Sequence, residues 1–292
     1  MNLSERALVF ECKGEALVGV LAEPAVSSDI GVLIIVGGWQ YRLGSHRQFL
    51  LLARHLAARG VPVLRFDYRG MGDSSGDVRT FEEIDDDIAA ALDAFVSACP
   101  AVRKVVLWGL CDGASASLLY WNNTADPRIA GMVLLNPWVL SDEALVQSQI
   151  RHHYRQRVLQ REFWAKLARG RVDVTGTLRT FTRALTGGIR SLRAGRTDGL
   201  AYQDRMAAAL GAFPGPVLLI LSGRDPAAKG FLDYCGTHAL WRGLISRSTI
   251  ERHSVPESDH TFSSVAWRQD VEAVTFRWLD RFLLRSTVRP FL

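Results

Sequence analysis

Cysteine is scarce in this sequence, and long apolar runs are absent. Only four of the 292 residues are cysteine, and no two of them form a CxxC pair or match the ligand spacing of a zinc site. The longest apolar runs, such as residues 32–36, extend for about five residues, whereas a membrane-spanning helix needs about 20. These absences exclude the common zinc motifs and a membrane span, and we expect the cysteines to be free thiols.

The net charge of the sequence is modest as well. The formal net charge is +5, with 22% charged and 48% apolar residues, which is ordinary for a globular protein with a core. The first residues lack the basic and apolar stretches of a secretory signal. We therefore expect a soluble, cytoplasmic protein without a nucleic-acid partner. The sequence has no metal-ligand cluster and no cofactor motif, so we expect neither a metal nor a cofactor.

Short apolar runs alternate with helical patterns along most of the chain. Lys13 and Gly14 separate the first two runs and predict a hairpin. Strands are predicted over residues 7–11, 17–22, 31–36, 61–66, 104–108, 131–135, 217–221 and 248–252. Helices are predicted over residues 46–59, 81–98, 113–120 and 263–284. Such alternation indicates an α/β fold with a mostly parallel sheet and helices on both faces.

The alternation is interrupted between residues 139 and 215, where no strand is predicted. We interpret residues 1–138 and 216–292 as the core, and residues 139–215 as a helical insertion that forms a lid over the strand ends. Residues 151–205 contain thirteen Lys or Arg and four acidic residues, a net charge of +9. This charge favours an anionic substrate, an acyl carrier or contact with a membrane surface. A solvated helical face is an equally good interpretation, and the oligomeric state stays open.

A chemically distinctive motif follows the strand predicted over residues 104–108. Gly109-Leu110-Cys111-Asp112-Gly113 has the form G-x-C-x-G, between a strand and a helix of small residues. This pattern is typical of a nucleophile elbow, which exposes the central side chain at a strained turn. The helix N-terminus behind it predicts a lowered pKa for the Cys111 thiol. The alternative is a glycine-rich turn with an idle buried cysteine.

An acid and a histidine follow the cysteine in the order that such an elbow requires. Asp225 comes just after the strand predicted over residues 217–221, and His260 precedes the last helix. We predict that His260 is the general base and that Asp225 orients it. Asp225 can also be read as a helix N-cap before Pro226, and His260 as a solvated loop residue. Asp259 competes with Asp225, but a sequence neighbour is poorly placed to reach the imidazole.

Catalysis at an acyl group requires two backbone N–H donors for the oxyanion. We expect one from Asp112, directly after the nucleophile. The second should come from the loop after residues 31–36, with Trp39 favoured and Gly38 next. The pair Gly37-Gly38 can equally be a tight turn.

The chain resembles the α/β-hydrolase superfamily over nearly its whole length, in the lid-bearing branch with serine aminopeptidase-like and lysophospholipase-like members. Four blocks are similar to the exosortase A system-associated hydrolase 1 family. They are GGWQYRLGSHRQF (37–49), FDYRGMGDSSG (66–76), LWGLCDGAS (107–115) and SDHTFSS (258–264). The resemblance implies an α/β-hydrolase fold and a role beside exosortase and exopolysaccharide genes. The chain departs from most of the superfamily by having cysteine in place of serine, as in dienelactone hydrolases.

Three functional hypotheses follow. The first is hydrolysis of an ester or thioester by a Cys111–His260–Asp225 triad through a thioester intermediate. The second is an acyltransferase that passes the same acyl group to a glycan or lipid. The third is a non-catalytic binding protein of the hydrolase type, which an unactivated thiol at Cys111 would favour.

Overall fold

The structure, a computed structural model, describes residues 3–38, 40–139 and 201–287, without the side chains of residues 282–287. Eight strands in these residues form one sheet, in the order β1-β2-β4-β3-β5-β6-β7-β8. The strands are β1 (Leu3–Cys12), β2 (Glu15–Pro24), β3 (Ile30–Ile35), β4 (Val63–Asp67), β5 (Lys104–Leu110), β6 (Ile129–Leu135), β7 (Val217–Ser222) and β8 (Ile250–Val255).

Most of the sheet is parallel. The pairs from β4–β3 through β7–β8 are parallel, whereas β1 pairs antiparallel with β2, and β2 antiparallel with β4. Every residue of β3, β4 and β7 is buried, as expected for strands covered on both faces. The carboxyl ends of the parallel strands therefore meet along one edge of the sheet, where the loops that follow them are brought together.

The predicted hairpin at the N-terminus is present. Strands β1 and β2 pair over ten residues each, from Leu3 opposite Pro24 to Cys12 opposite Glu15. The two turn residues between them, Lys13 and Gly14, have φ angles of 53° and 83°. Two successive positive φ angles give the turn whose twist matches that of the strands.

Six α-helices cover the sheet in the described part of the chain. They are α1 (Gln48–Ala57), α2 (Asp85–Ala98), α3 (Asp112–Thr124), α4 (Tyr202–Ala212), α5 (Pro226–Thr237) and α6 (Val265–Thr287). The helix predicted from residue 46 begins only at Gln48, because His46 and Arg47 have φ angles of 53° and 60°. Positive φ angles at two successive residues are incompatible with an α-helix. No described helix has the length and hydropathy needed to span a bilayer.

The predicted insertion, residues 139–215, lies largely outside the described residues. Residues 140–200 are not described, so the lid and most of the basic segment stay predictions. The last part of the insertion contains α4, which packs against α3 with Met206 and Leu210 buried. Helix α5 was not predicted from the sequence, although Asp225 and Pro226 carry the signal for its start.

Candidate active site

The turn between β5 and α3 holds Cys111 in a strained conformation. Strand β5 ends at Leu110 and α3 begins at Asp112, so that Cys111 alone makes the turn. Its backbone angles are φ 57° and ψ −119°, a combination that costs about 1–3 kcal/mol for a residue with a side chain. The Cys111 N–H donates to the Leu135 carbonyl oxygen at 2.8 Å, which ties the turn to the end of β6. The geometry is that of the predicted elbow.

Three glycines make this tight turn sterically possible. A Cβ on Gly109 would collide with the backbone of Gly113, and a Cβ on Gly113 would collide with the Ile35 carbonyl. A Cβ on Gly37 would in turn collide with the Leu110 carbonyl. The strand, the helix and the loop after β3 therefore approach one another more closely than any side chain allows. This is the physical reason for the spacing G-x-C-x-G.

His260 and Asp225 lie together at the same edge of the sheet. The Nδ1 atom of His260 is 2.7 Å from Oδ2 of Asp225. Asp225 is almost completely buried, whereas about a third of the His260 side chain is exposed. A carboxylate partner places the imidazole proton on Nδ1 and leaves Nε2 as an acceptor. The pair thus has the arrangement of a base and its orienting acid.

Asp225 also caps a helix. Its carboxylate accepts hydrogen bonds from the N–H groups of Ala227 at 2.9 Å and Ala228 at 3.3 Å, at the start of α5. The two interpretations of Asp225 from the sequence are therefore compatible, because one carboxylate has enough lone pairs for both tasks. The helix fixes the carboxylate, and the carboxylate fixes the imidazole.

The neighbouring acid, Asp259, is used inside its own loop. Its carboxylate accepts from the N–H groups of Thr261 at 3.2 Å and Ser263 at 3.0 Å, and from the Ser263 hydroxyl. These contacts lower the pKa of Asp259 although burial opposes them. Asp259 shapes the loop that carries His260 and leaves the imidazole to Asp225.

A buried polar pair that sequence reasoning missed supports the same loop. Asn136 follows β6 with a φ of 43°, and its Nδ2 donates to Ser222 Oγ at 2.8 Å and to the His260 carbonyl at 3.2 Å. Ser222, the last residue of β7, donates to the Asp259 carbonyl at 2.8 Å. The signal in the sequence that could have predicted this pair is a polar residue at the end of each of two buried strands. Asn136 and Ser222 thus hold the backbone of residues 259 and 260 through hydrogen bonds to their carbonyl oxygens.

The Cys111 thiol does not have the lowered pKa predicted from its helix position. Burial raises its pKa, and the nearby Asp112 carboxylate raises it further, while the Asp112 backbone N–H lowers it. The Sγ atom donates to Asp112 Oδ1 at 3.7 Å, and no described residue other than Asp112 bonds to it. The prediction was wrong because desolvation of a thiolate outweighs the field of one helix end.

The candidate oxyanion donors come from two loops. The Asp112 N–H stands at the start of α3, and a Cβ on Gly37 would lie 3.1 Å from this nitrogen. Gly38 follows with a φ of 61°. Trp39, the favoured second donor, lies outside the described residues, so its role and that of Gly38 stay predictions. The two loops nevertheless meet beside Cys111, as the oxyanion site requires.

An ion network fixes the loop after β3. Asp67, fully buried at the end of β4, accepts from the Arg42 N–H at 2.6 Å and from the Asp73 N–H at 3.1 Å. The Arg42 guanidinium bonds to the carboxylates of both Asp67 and Asp73. A Cβ on Gly72 would collide with the Asp67 carboxylate, so the loop after β4 needs glycine there. This network ties the loop after β3 to the end of β4 and to the loop that follows β4.

The described residues contain no group of three or more His, Cys, Asp or Glu side chains that could hold a metal ion. The groups at the strand ends are the Cys111 thiol with the Asp112 carboxylate, the His260–Asp225 pair and backbone N–H donors. Such a set can carry out acyl transfer by general-base and covalent chemistry.

Comparison with solved structures shows what the fold is similar to. An esterase of Pyrococcus furiosus, Pf2001, matches with a TM-score of 0.64 and 14% identity, over 96% of this chain and 93% of its own. The esterase Est1E of Butyrivibrio proteoclasticus, solved with ferulic acid bound, gives 0.60 and 15% over 94% and 98%. The haloalkane dehalogenase DatA of Agrobacterium tumefaciens gives 0.58 and 18% over 95% and 97%.

The sequence itself gives a family match. No curated protein matches it, but the model of the alpha/beta hydrolase family matches residues 32–274, which is most of the chain. The matched span runs from β3 to α6 and includes the elbow, Asp225 and His260. The predicted α/β-hydrolase fold is confirmed, and the chain belongs to the alpha/beta hydrolase family.

Proposed function

We propose that the protein hydrolyses an ester or thioester through an acyl-enzyme intermediate on Cys111. The observation that carries the proposal is the 2.7 Å contact between His260 and Asp225, at the sheet edge where the elbow presents Cys111. A histidine held by a buried carboxylate, at the same sheet edge as a strained nucleophile, is the arrangement that acyl transfer uses. The esterases among the similar folds agree with this chemistry.

In the first half-reaction the thiol proton moves to Nε2 of His260. The sulfur forms a bond to the carbonyl carbon of the substrate, and the carbonyl oxygen becomes an oxyanion beside the N–H groups of Asp112 and the Gly38 loop. The tetrahedral intermediate then expels its alcohol or thiol, which takes the proton from His260. The raised pKa of Cys111 makes the base necessary, because little thiolate forms by itself.

In the second half-reaction a water molecule replaces the leaving group. His260 takes a proton from the water, and the resulting hydroxide attacks the thioester carbonyl. The C–S bond breaks, the acid is released, and the sulfur recovers its proton from His260. Asp225 keeps its contact with Nδ1 of His260 and stabilises the imidazolium in both half-reactions.

Trapping of the intermediate tests this proposal. Incubation with p-nitrophenyl acetate followed by an acid quench should give a protein that carries one acetyl group, and peptide mapping should locate it on Cys111. Release of p-nitrophenol should show a burst close to one equivalent, because deacylation of such intermediates is often slower than acylation.

Cys111→Ala should lose the label, the burst and the turnover. Cys235→Ala is the matched control, because Cys235 lies buried in the core, where burial raises its pKa to about 12. Turnover that survives in Cys111→Ala would overturn the assignment. Loss of free acetate and formation of an acylated sugar, when a hexose is added as acceptor, would indicate the acyltransferase instead.

The leaving group is proposed to be anionic. The support is the net charge of +9 over residues 151–205, of which residues 151–200 are not described. Acetyl-coenzyme A and a neutral thioester can be compared in the same trapping assay. The acylation rate with acetyl-coenzyme A should exceed the other and fall as salt is added, whereas equal rates with no salt dependence would contradict the proposal.

A role beside the exosortase and exopolysaccharide system is also proposed. It is supported by the four sequence blocks, three of which contain candidate site residues: 37–49, 107–115 and 258–264. A strain that lacks this protein should have altered extracellular polysaccharide, with the intact protein but not Cys111→Ala restoring it. Restoration by Cys111→Ala would support a binding role in place of catalysis.

A further inference from the structure

The Asp112 side chain lies between the Cys111 sulfur and the loop that contains Gly38. Its Oδ1 is 3.7 Å from the Cys111 sulfur, which donates to it. Its Oδ2 lies on the side of Gly38, where a Cβ on the glycine would be 4.0 Å from this oxygen. The Gly38 N–H stabilises the ionised carboxylate. One carboxylate thus contacts the nucleophile and faces a backbone donor expected to receive the oxyanion.

The two neighbouring groups oppose each other's ionisation. Burial raises the pKa of Asp112, while the Cys111 thiol, the Gly38 N–H and the charge of His260 lower it. Burial and then the Asp112 charge raise the pKa of Cys111. A thiolate and a carboxylate at this distance repel in a poorly solvated site. The neutral Cys111 thiol donates a hydrogen bond to the Asp112 carboxylate at 3.7 Å, and a thiolate would lose this contact.

The other titratable groups that face this pair come from three elements. Among the described residues they are Tyr68 after β4, Asp225 after β7 and His260 after β8. Burial raises the pKa of Tyr68, so that its phenol stays neutral. Asp225 is engaged with His260 and with the start of α5. Asp112 is therefore the nearest charge to the sulfur and the one whose removal should change the thiol most.

We propose that Asp112 holds Cys111 as a protonated, unreactive thiol in the free enzyme, and that a substrate's carbonyl oxygen displaces its carboxylate to begin the reaction. The inference rests on the proposed function, because it assigns a second residue to the same nucleophile. When the carbonyl oxygen takes the Gly38 N–H, the carboxylate rotates away from the sulfur. The thiol proton then passes to Nε2 of His260, and no further reagent is consumed.

Such a contact selects the electrophiles to which Cys111 responds. A substrate with a carbonyl oxygen brings the group that replaces the carboxylate, so the thiol becomes nucleophilic only when an acyl group is in place. A reagent without a carbonyl, such as a disulfide, meets the protected thiol. Specificity of this kind is a difference between the two classes of reagent and can be measured as a ratio of rates.

The test is the pH profile of thiol exchange between Cys111 and 2,2′-dithiodipyridine, which has no carbonyl group. Asp112→Asn keeps the shape of the side chain and removes its charge. We expect the profile to move to lower pH by about one unit, which is about a tenfold faster exchange at neutral pH. The other cysteines are buried, and Cys111→Ala gives their background.

Asp85→Asn is the matched control, because Asp85 is likewise the first residue of a helix, α2, and a partly buried one. It should leave the profile of Cys111 unchanged. A second readout is the ratio of the acylation rate with p-nitrophenyl acetate to the exchange rate. This ratio should fall about tenfold in Asp112→Asn, because only the exchange reaction gains the full benefit of the lost charge.

The outcomes separate this inference from the proposed function. A profile that stays in place or moves to higher pH in Asp112→Asn overturns the role of Asp112, even if acetyl-Cys111 forms normally. A shifted profile in a protein that never forms acetyl-Cys111 supports the resting contact and overturns the hydrolase mechanism. Equal acceleration of acylation and exchange would overturn displacement by the carbonyl oxygen.

Discussion

Replacement of His260 by alanine should lower kcat/KM for p-nitrophenyl acetate by about 10³- to 10⁴-fold. The physical reason is the state of the nucleophile. Because burial and the Asp112 carboxylate raise the pKa of Cys111, the thiol remains protonated at neutral pH unless a base removes its proton. His260 is positioned for this task by Asp225 at 2.7 Å and by the Asn136–Ser222 pair beneath its loop.

The sequence contains an unusually close control. His253 lies on β8, seven residues before His260, and its Nε2 is 2.9 Å from Oδ2 of Asp270. His253→Ala removes another histidine–carboxylate pair, whose imidazole is about as exposed as that of His260 but whose carboxylate is far more exposed than Asp225. We expect it to retain kcat/KM within about twofold. Acyl-enzyme trapping in both variants should show acetyl-Cys111 with His253→Ala only.

Three results would argue against a base role for His260. They are equal losses in the two variants, a normal rate of acylation in His260→Ala, and the absence of acetyl-Cys111 in the wild type. The last of these would favour the non-catalytic binding protein. The comparison needs no knowledge of the natural substrate, because each assay uses a small activated reagent.

The strands of the sheet could be predicted from the sequence because each buried parallel strand leaves a strong local signal. Residues 31–36 and 217–221 are apolar runs between turn residues, and they correspond to β3 and β7 within one residue at each end. The sequence signal for the elbow was also local, because Gly109 and Gly113 mark a close approach that no other residue permits. The order of Cys111, Asp225 and His260 then followed from their places after strands.

The contacts that decide reactivity were not local. The start of α3 predicted a stabilised thiolate, but burial of the sulfur and the direction of the Asp112 side chain depend on the loop after β3 and on the neighbouring strand ends. Asn136 and Ser222 lie 86 residues apart and meet only in the folded sheet. Periodicity describes which face of an element is buried, and it contains no information on how polar side chains pair across elements.

Substitution of Asp225 should also have a large effect on activity. Its two tasks, orienting His260 and capping α5, can be separated by two different substitutions. Asp225→Asn keeps an oxygen at the Oδ1 position, which accepts the shorter cap bond from the Ala227 N–H, and it loses only the longer bond from the Ala228 N–H to Oδ2. The amide, however, presents an N–H to Nδ1 of His260 and places the imidazole proton on Nε2, where it cannot accept the thiol proton. We expect kcat/KM to fall by about 10³- to 10⁴-fold, with the melting temperature nearly unchanged.

Asp225→Ala should lose the same activity and also stability. Removal of an N-cap costs about 0.5–2 kcal/mol, which for a chain of this size lowers Tm by about 2–4 °C per kcal/mol. Asp259→Asn is the control, since its carboxylate serves its own loop and not the imidazole. Kinetics and thermal unfolding of the three variants separate the roles.

If Asp225→Asn kept its activity while Asp259→Asn lost it, the orienting acid would be Asp259. If the loss of activity in the Asp225 variants only followed their loss of Tm, the role of Asp225 would be that of a helix cap alone. The buried position of Asp225, between the helix end and the imidazole, leads us to expect an activity loss far larger than its loss of stability accounts for.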